Sequence, residues 1–311
     1  MYILGFDIGG TKCAVITAEY DSENIAILNK QKCSTDLTVT PEEMIDRLIL
    51  MADGILDRKP DAIGISCGGP LDSKKGVIMS PPNLPSWDNV EIVKMLEKHY
   101  GVTALLQNDA NACALAEWKF GAGKGSDNVV FLTFGTGLGA GLILGGRLYE
   151  GANGNAGEAG HIRLSKKGPI GYGKEGSFEG FCSGGGLKQL SKSVAEEYIR
   201  KGVVPSWYDN CDIAEIARCA REGDETAREV FDLCGEKLGQ GLSVIVDLLN
   251  PDKIIIGSIY ARCCDLLKNP MKKAIEKEAL YPSLSVCEIV PAELGEGIGD
   301  MAAIATALQF K

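Results

Sequence analysis

The amino-acid sequence predicts an α/β protein of two domains in which the second echoes the first. Three observations carry that reading. The chain opens on a buried hairpin: Leu4-Gly5-Phe6-Asp7-Ile8 runs into Gly9-Gly10-Thr11-Lys12 and leaves through Cys13-Ala14-Val15-Ile16. Two apolar runs about a glycine turn are the mark of such a hairpin. The same pattern returns at Val129–Phe134, Gly135-Thr136-Gly137-Leu138-Gly139 and Ala140–Leu144, closed by Gly145-Gly146. A length of 311 residues gives each domain enough chain for its own core.

The first turn has chemistry as well as shape. Glycines let backbone N–H groups approach a ligand closely, and such a nest favours anions. A carboxylate beside it, Asp7, would repel a bare phosphate, but not one that carries a divalent cation. The expected occupant is therefore a magnesium nucleotide, with Mg²⁺ tied to Asp7 through water. A Walker A loop or a dinucleotide fingerprint would precede a helix, whereas Cys13 to Thr17 continue as a strand. The bland alternative is an ordinary hairpin with Asp7 as a turn residue. The echo at Gly135–Gly139 weighs against it, because two such turns can grip one polyphosphate from opposite sides.

Beyond the hairpin, Ile25–Leu28 reads as a third strand, and Pro41 to Arg58 has helical spacing with Thr40 as N-cap. Asp61–Ser66 is a buried strand ending in Cys67-Gly68-Gly69-Pro70. Pro81-Pro82-Asn83-Leu84-Pro85-Ser86-Trp87 is too rich in proline for a helix or central strand. Either it lines a pocket with Asn83, or it is a surface connection. Val90–Tyr100 is a helix and Val102–Leu106 a strand, which runs into Gln107-Asn108-Asp109-Ala110-Asn111 and an alanine-rich helix. Asp109 alone could be a helix cap. Amides and a carboxylate gathered where a strand ends suit a polyol, since ligands in α/β sheets bind at the carboxyl ends of strands and a carboxylate accepts a hydroxyl proton.

From there to residue 190 the chain is glycine-rich and carries Gly157-Glu158-Ala159-Gly160-His161 and Gly176-Ser177-Phe178-Glu179-Gly180. Loops of this kind pack poorly and point to function. Helices are expected at Ile213–Arg221 and Asp224–Leu249, the latter with Gly239 and Gly241 marking a bend or close approach. Lys253–Ser258 and Leu284–Val290 read as strands, and Met301–Phe310 as a final helix.

Composition narrows the class. Hydrophobic residues make up 45%, charged residues 24%, and the net charge is −10 with no Lys/Arg cluster. Nucleic acid and anionic membranes are thereby disfavoured as partners. No apolar run approaches the ~18 residues of a membrane span. Met1-Tyr2-Ile3 passes straight into structure without a basic-then-apolar leader, so a cytoplasmic location is expected. The eleven cysteines have irregular spacing and no Cys-x-x-Cys, as reduced, buried small apolar residues would.

The paired hairpins resemble those of the actin, hexokinase and Hsp70 superfamily, whose duplicated ribonuclease-H-like halves each supply a phosphate hairpin around mixed sheets, with a cleft between the domains. More narrowly, the chain resembles the ROK family of bacterial sugar kinases, which includes glucokinase and N-acetylmannosamine kinase. The matching stretches are Asp7–Lys12, the Asn83 loop, Asn108–Asn111, Gly135–Gly139, Glu158–His161, Gly176–Glu179 and Asn250-Pro251-Asp252-Lys253-Ile254. The resemblance implies Asp109 as catalytic base, and Asn83, Asn108, Glu158, His161 and Glu179 on sugar hydroxyls. It further implies Gly9, Gly10, Thr11, Lys12, Gly135, Thr136, Gly137 and Gly139 on ATP phosphates, with Gly257 near adenosine. It also implies a homodimer, a smaller domain of residues 1–112 plus 298–311, and a larger one of 113–297.

One departure matters. Most of that family bind a structural zinc through the motif histidine and three cysteines, positions that read Ile170, Tyr172 and Ser177 here. Only His161 remains of about four ligands such a site needs, so no structural zinc is expected. Apolar packing by Ile170, Tyr172, Phe178 and Phe181 would hold the loop instead. Ser258 stands where a second glycine is common in the family.

The activity implied is ATP-dependent phosphorylation of a hexose, glucose at O6 first, with domain closure excluding water. N-acetylmannosamine, fructose and allose are the alternative substrates. The rivals of other classes are a ROK-type repressor, which would need a helix-turn-helix ahead of Gly5, an ATP-driven chaperone or assembly protein, and a sugar-binding module.

Overall fold

The computed structural model describes residues 1–308. The chain divides into two compact units, one made of Met1–Asp127, Gly141–Ala156 and the chain from Glu293 onward, the other of Asn128–Ala140 and Gly157–Ala292.

In the first unit, β1 (Tyr2–Ile8), β2 (Lys12–Tyr20) and β3 (Ile25–Ser34) form an antiparallel meander. After α1 (Pro41–Asp53) comes β4 (Ala62–Cys67), parallel to β1. A small hairpin of β5 (Leu71–Asp72) and β6 (Val77–Ile78) leads to α2 (Ile92–Tyr100) and then to β7 (Ala104–Asn108), parallel to β4. The sheet order is β3-β2-β1-β4-β7, and α3 (Asp109–Phe120) leaves its last strand. β1 is apolar at almost every position because both faces of the sheet are covered. One face packs Phe6, Ile8 and Val15 with Met44 and Leu48 of α1 and Leu96 of α2. The other packs Ile3, Ala14 and Ile16 with Ala303, Ile304 and Ala307 of the closing helix, Ile298–Ala307. That helix approaches so closely that a Cβ on Gly64 would stand 1.9 Å from the carbonyl oxygen of Ala303.

Local signals hold well in this unit. Thr40 caps α1, accepting from the Glu43 N–H at 3.2 Å while the Glu43 carboxylate accepts from the Thr40 N–H at 2.9 Å. The helix stops at Asp53, short of Arg58, with Gly54 as its C-cap. β3 extends six residues past Leu28 to Ser34 as the polar edge strand. The first unit runs to Asp127 before the chain leaves it, not to residue 112, and so keeps α3 whole.

The second unit begins with β8 (Val129–Leu132), and its turn leads into β9 (Ala140–Ile143), along which the chain passes back to the first unit. Next come the short hairpin β10 (Ile170–Gly171) and β11 (Lys174–Glu175), α4 (Phe178–Phe181), α5 (Gly184–Arg200), α6 (Ile213–Arg221) and α7 (Glu225–Leu249). β12 (Lys253–Ile256), α8 (Ile259–Glu278), α9 (Tyr281–Leu284) and β13 (Glu288–Pro291) complete it. β12 lies parallel between β8 and β13. Gly239 marks a close approach, since a Cβ there would stand 2.4 Å from the Met271 carbonyl oxygen of α8. The strand expected over Leu284–Val290 is instead a helical turn at Tyr281–Leu284 followed by β13, because Pro282 fits the first turn of a helix. The last helix, α10, is the closing helix Ile298–Ala307, three residues earlier than expected at its start; Phe310 lies outside the described residues. Among the described residues no helix is long and apolar enough to cross a membrane.

Candidate active site

In the first unit the turn between β1 and β2 is tied down by backbone bonds. Gly9 N–H donates to the Lys12 carbonyl at 3.0 Å, and Thr35, just past β3, donates its N–H to the Thr11 carbonyl at 3.0 Å and its hydroxyl to the Gly9 carbonyl at 2.6 Å. Neither Gly9 nor Gly10 has a left-handed φ. The demand for glycine comes from proximity: a Cβ on Gly10 would stand 2.4 Å from Cβ of Asn83. The proline-rich loop is therefore packed on the first turn, and two residues 73 positions apart, both expected in the site, are neighbours. Asn83, Thr11 and Lys12 are exposed.

Asp7, at the mouth of this turn, is largely enclosed. Burial, and after it the charges of Asp300 and Asp109, push its carboxyl up to about 6 against the pull of Lys30 and Lys32. Its Oδ2 lies 2.7 Å from where a Cβ on Gly299 would be, so the first turn of α10 sits directly against it. Asp300 in that turn is ion-paired with Lys30 of β3. Sequence reasoning missed Lys30, Lys32 and Asp300; the alternation of two lysines on an edge strand is the one local hint.

The carboxyl end of β7 supplies the rest. Asn108 is extended and caps α3, its Oδ1 accepting from the Ala110 N–H at 3.0 Å. Asp109 is thus the first helical residue rather than the cap, and its Oδ1 accepts from the same N–H at 2.8 Å. It is exposed, and its charge is felt by Asp7. Asp7, Gly9–Lys12, Asn83, Asn108 and Asp109 all belong to the first unit.

In the second unit, the Gly135–Gly139 turn is closed by the Thr133 N–H on the Gly139 carbonyl and by the Gly139 N–H on Thr133 Oγ1, both at 3.0 Å. Thr136 is exposed. Glu179, in the first turn of α4, accepts from the Leu138 N–H at 2.9 Å, and its Cβ lies 3.2 Å from where a Cβ on Gly160 would be. Three motifs far apart in sequence meet there. Glu158 precedes a single 3-10 turn, Ala159–His161, that His161 closes, and both are exposed. Gly257 is buried against Phe131 and continues the pairing of β12 with β8, donating to the Leu132 carbonyl at 2.9 Å. Ser258, beside Gly135, has φ 50°.

The segment that departs from the family pattern is fastened differently from expectation. Phe178 and Phe181 are buried, but Ile170 is 53% and Tyr172 72% exposed, so neither packs the loop. Hydrogen bonds do that work. Gln189 bonds both the N–H and the carbonyl of Ile170 at 2.9 Å, Lys174 Nζ donates to the His161 carbonyl at 2.7 Å, and Ser177 caps α4. The Tyr172 ring meets His161 edge-on at 6.5 Å. Cys182 is buried, which pushes its thiol up, and donates to the Cys234 carbonyl.

Two units, each presenting a short turn between paired strands and each carrying polar groups beside that turn, define a class of duplicated α/β proteins. The family model described as the ROK family matches residues 3–309, and the chain belongs to that family. It is 29% identical to a glucokinase of Thermotoga maritima over 97% of this chain and 95% of that one. It is 27% identical to a xylose repressor of Caldicellulosiruptor bescii over 89% of this chain and 70% of the repressor. Among solved structures, a ROK glucokinase of Streptomyces griseus, in complex with glucose and AMPPNP, matches with a TM-score of 0.79 at 30% identity, covering 99% of this chain and all of that one. The fold is accordingly the duplicated ribonuclease-H-like α/β fold of the actin, hexokinase and Hsp70 superfamily.

Proposed function

We propose that this ROK protein is a sugar kinase that transfers the γ-phosphoryl group of ATP to a hexose hydroxyl, glucose at O6 in the first instance. The observation that carries the reading is the strand register: Ile8 of β1 is level with Cys67 of β4, and Cys67 with Asn108 of β7, so Asp7 and Asp109 stand at the same end of one sheet, the first enclosed and the second exposed. Two negative charges within reach of each other repel, and the cost is offset where a cation or a reacting proton is handled. Asp109 takes the proton of the attacking hydroxyl; Asn108, Asn83, Glu158, His161 and Glu179 hold the sugar. The Gly9–Lys12 and Gly135–Gly139 turns hold the phosphates, and Gly257 lies at the nucleoside. Magnesium fits the hard oxygen donor that Asp7 offers through water, and when bound it supplies neutralisation of phosphoryl charge.

The similarity to glucokinases over nearly the whole chain supports glucose as substrate. N-acetylmannosamine, fructose and allose are the next sugars, since the same side chains suit them. The test is ADP release measured over a panel of hexoses and N-acetylhexosamines with wild type and Asp109→Asn. Turnover of one sugar by wild type, lost by more than about 10³-fold in the variant with sugar binding kept, is the expected result. Near-normal rates in the variant would overturn the role of Asp109, and no sugar-dependent ADP release by wild type would leave a repressor or a sugar-binding module as the better reading.

A further inference from the structure

Gln107, next to last in β7 and 8% exposed, is held at both ends of its side chain. Its Oε1 accepts from the Asn108 N–H at 2.8 Å and from Nδ2 of Asn111 at 3.1 Å. Its Nε2 donates to Oε1 of Glu150 at 3.1 Å, and the same carboxylate oxygen accepts from the Ser73 hydroxyl at 2.7 Å. All five residues belong to the first unit.

A carboxylate only accepts hydrogen bonds. Glu150 therefore dictates that the NH₂ end of the Gln107 amide faces it. That leaves Oε1 for the Asn108 N–H and for the NH₂ end of Asn111. Asn111, turned this way and 2% exposed, keeps its own Oδ1 buried with no hydrogen-bond partner among the described residues. An unpaired buried acceptor is costly. The polarity of the chain from Glu150 to Asn111 is thus imposed from the carboxylate end and not chosen for the comfort of Asn111.

We propose that Glu150 is a positioning residue: acting through Gln107, it fixes the backbone of Asn108 and with it the direction of the Asp109 carboxylate. This rests on the reading of Asp109 as the base. Ser73, from the β5–β6 hairpin, braces Glu150 from the other side. With Glu150 gone, the Gln107 amide is free to turn over, and Asn108 loses a fixed acceptor at the junction of β7 and α3.

Hydrogen exchange and kinetics on the full chain test this together. In Glu150→Ala the Asn108 amide exchanges about tenfold faster while amides elsewhere keep their rates. Its kcat falls about tenfold with KM for ATP unchanged, as a misdirected base requires. Glu150→Gln keeps wild-type values, because one carbonyl oxygen can accept from both Gln107 and Ser73. The double variant Gln107→Glu/Glu150→Gln also recovers, since the carboxylate and its amide donor merely change places. Should Glu150→Ala not fold, Gln107→Met cuts the same chain at its other end. Unchanged Asn108 exchange in the cut variant overturns the proposal, as does Glu150→Gln impaired as severely as Glu150→Ala. If wild type turns over no sugar, the assignment of Asp109 fails by itself, and the exchange rates still decide the role of Glu150.

Discussion

Oε2 of Glu179 accepts the Leu138 N–H at 2.9 Å and stands 2.8 Å from where a Cβ on Gly137 would be. A side chain expected to hold sugar is thus bonded to the backbone of a turn expected to hold phosphate. Hydrogen bonds to a charged acceptor contribute about 1.5–3 kcal/mol. Glu179→Ala should therefore weaken both sugar and ATP, each KM rising about tenfold or more. Glu179→Gln, which keeps an acceptor oxygen for Leu138, should raise KM for sugar while leaving ATP within about twofold. Steady-state kinetics with each substrate varied in turn would separate the two effects, and an ATP KM unmoved by Glu179→Ala would remove the bond's significance.

Asp7 gives a stability that depends on pH in an unusual direction. Its carboxyl is raised from 3.8 to about 6 in the folded protein, chiefly by burial. The native state then holds a proton that the unfolded chain has released, so stability is greatest below the unfolded value and is lost as pH rises through the folded one. Asp7→Asn, measured without nucleotide, should raise the melting temperature at pH 7.5 and leave it nearly unchanged at pH 4, with a gain of at most about 3 kcal/mol. Magnesium-dependent turnover should be lost in the same variant. Equal shifts at both pH values would show that the carboxylate is not strained by its surroundings.

Ser258 adopts φ 50° and ψ −111° between β12 and α8. That region suits glycine and costs another residue of order 1–3 kcal/mol. Ser258→Gly should raise thermal stability by about 1 kcal/mol net of the entropy glycine adds to the unfolded chain, or about 2–4 °C in melting temperature. A scanning calorimetry trace with no increase would mean the hydroxyl beside Gly135 is worth as much as the strain.

What could be read from sequence here was what is local. The hairpin turns, the Thr40 cap and the limits of α6 depend on residues a few positions apart, and they stand where spacing places them. Asn108 and Asp109 stand at a strand end for the same local reason, with Asn108 rather than Asp109 as the cap. Partnerships between distant residues were not readable: Gln107 with Glu150 spans 43 positions and Lys30 with Asp300 spans 270. The segment from Ile170 to Cys182 shows the limit of composition as a guide. Ile170 and Tyr172 look like packing residues, yet a two-strand hairpin displays them to solvent and Gln189 holds the backbone instead.

The helix Ile298–Ala307 supplies three side chains to a core whose other members lie within the opening meander. On the ribosome, those meander residues emerge nearly three hundred codons before their cover does. Until then one face of the nascent sheet is bare hydrocarbon, and a chain stopped short of Ala303 would be left sticky and prone to capture by chaperones or by other copies of itself.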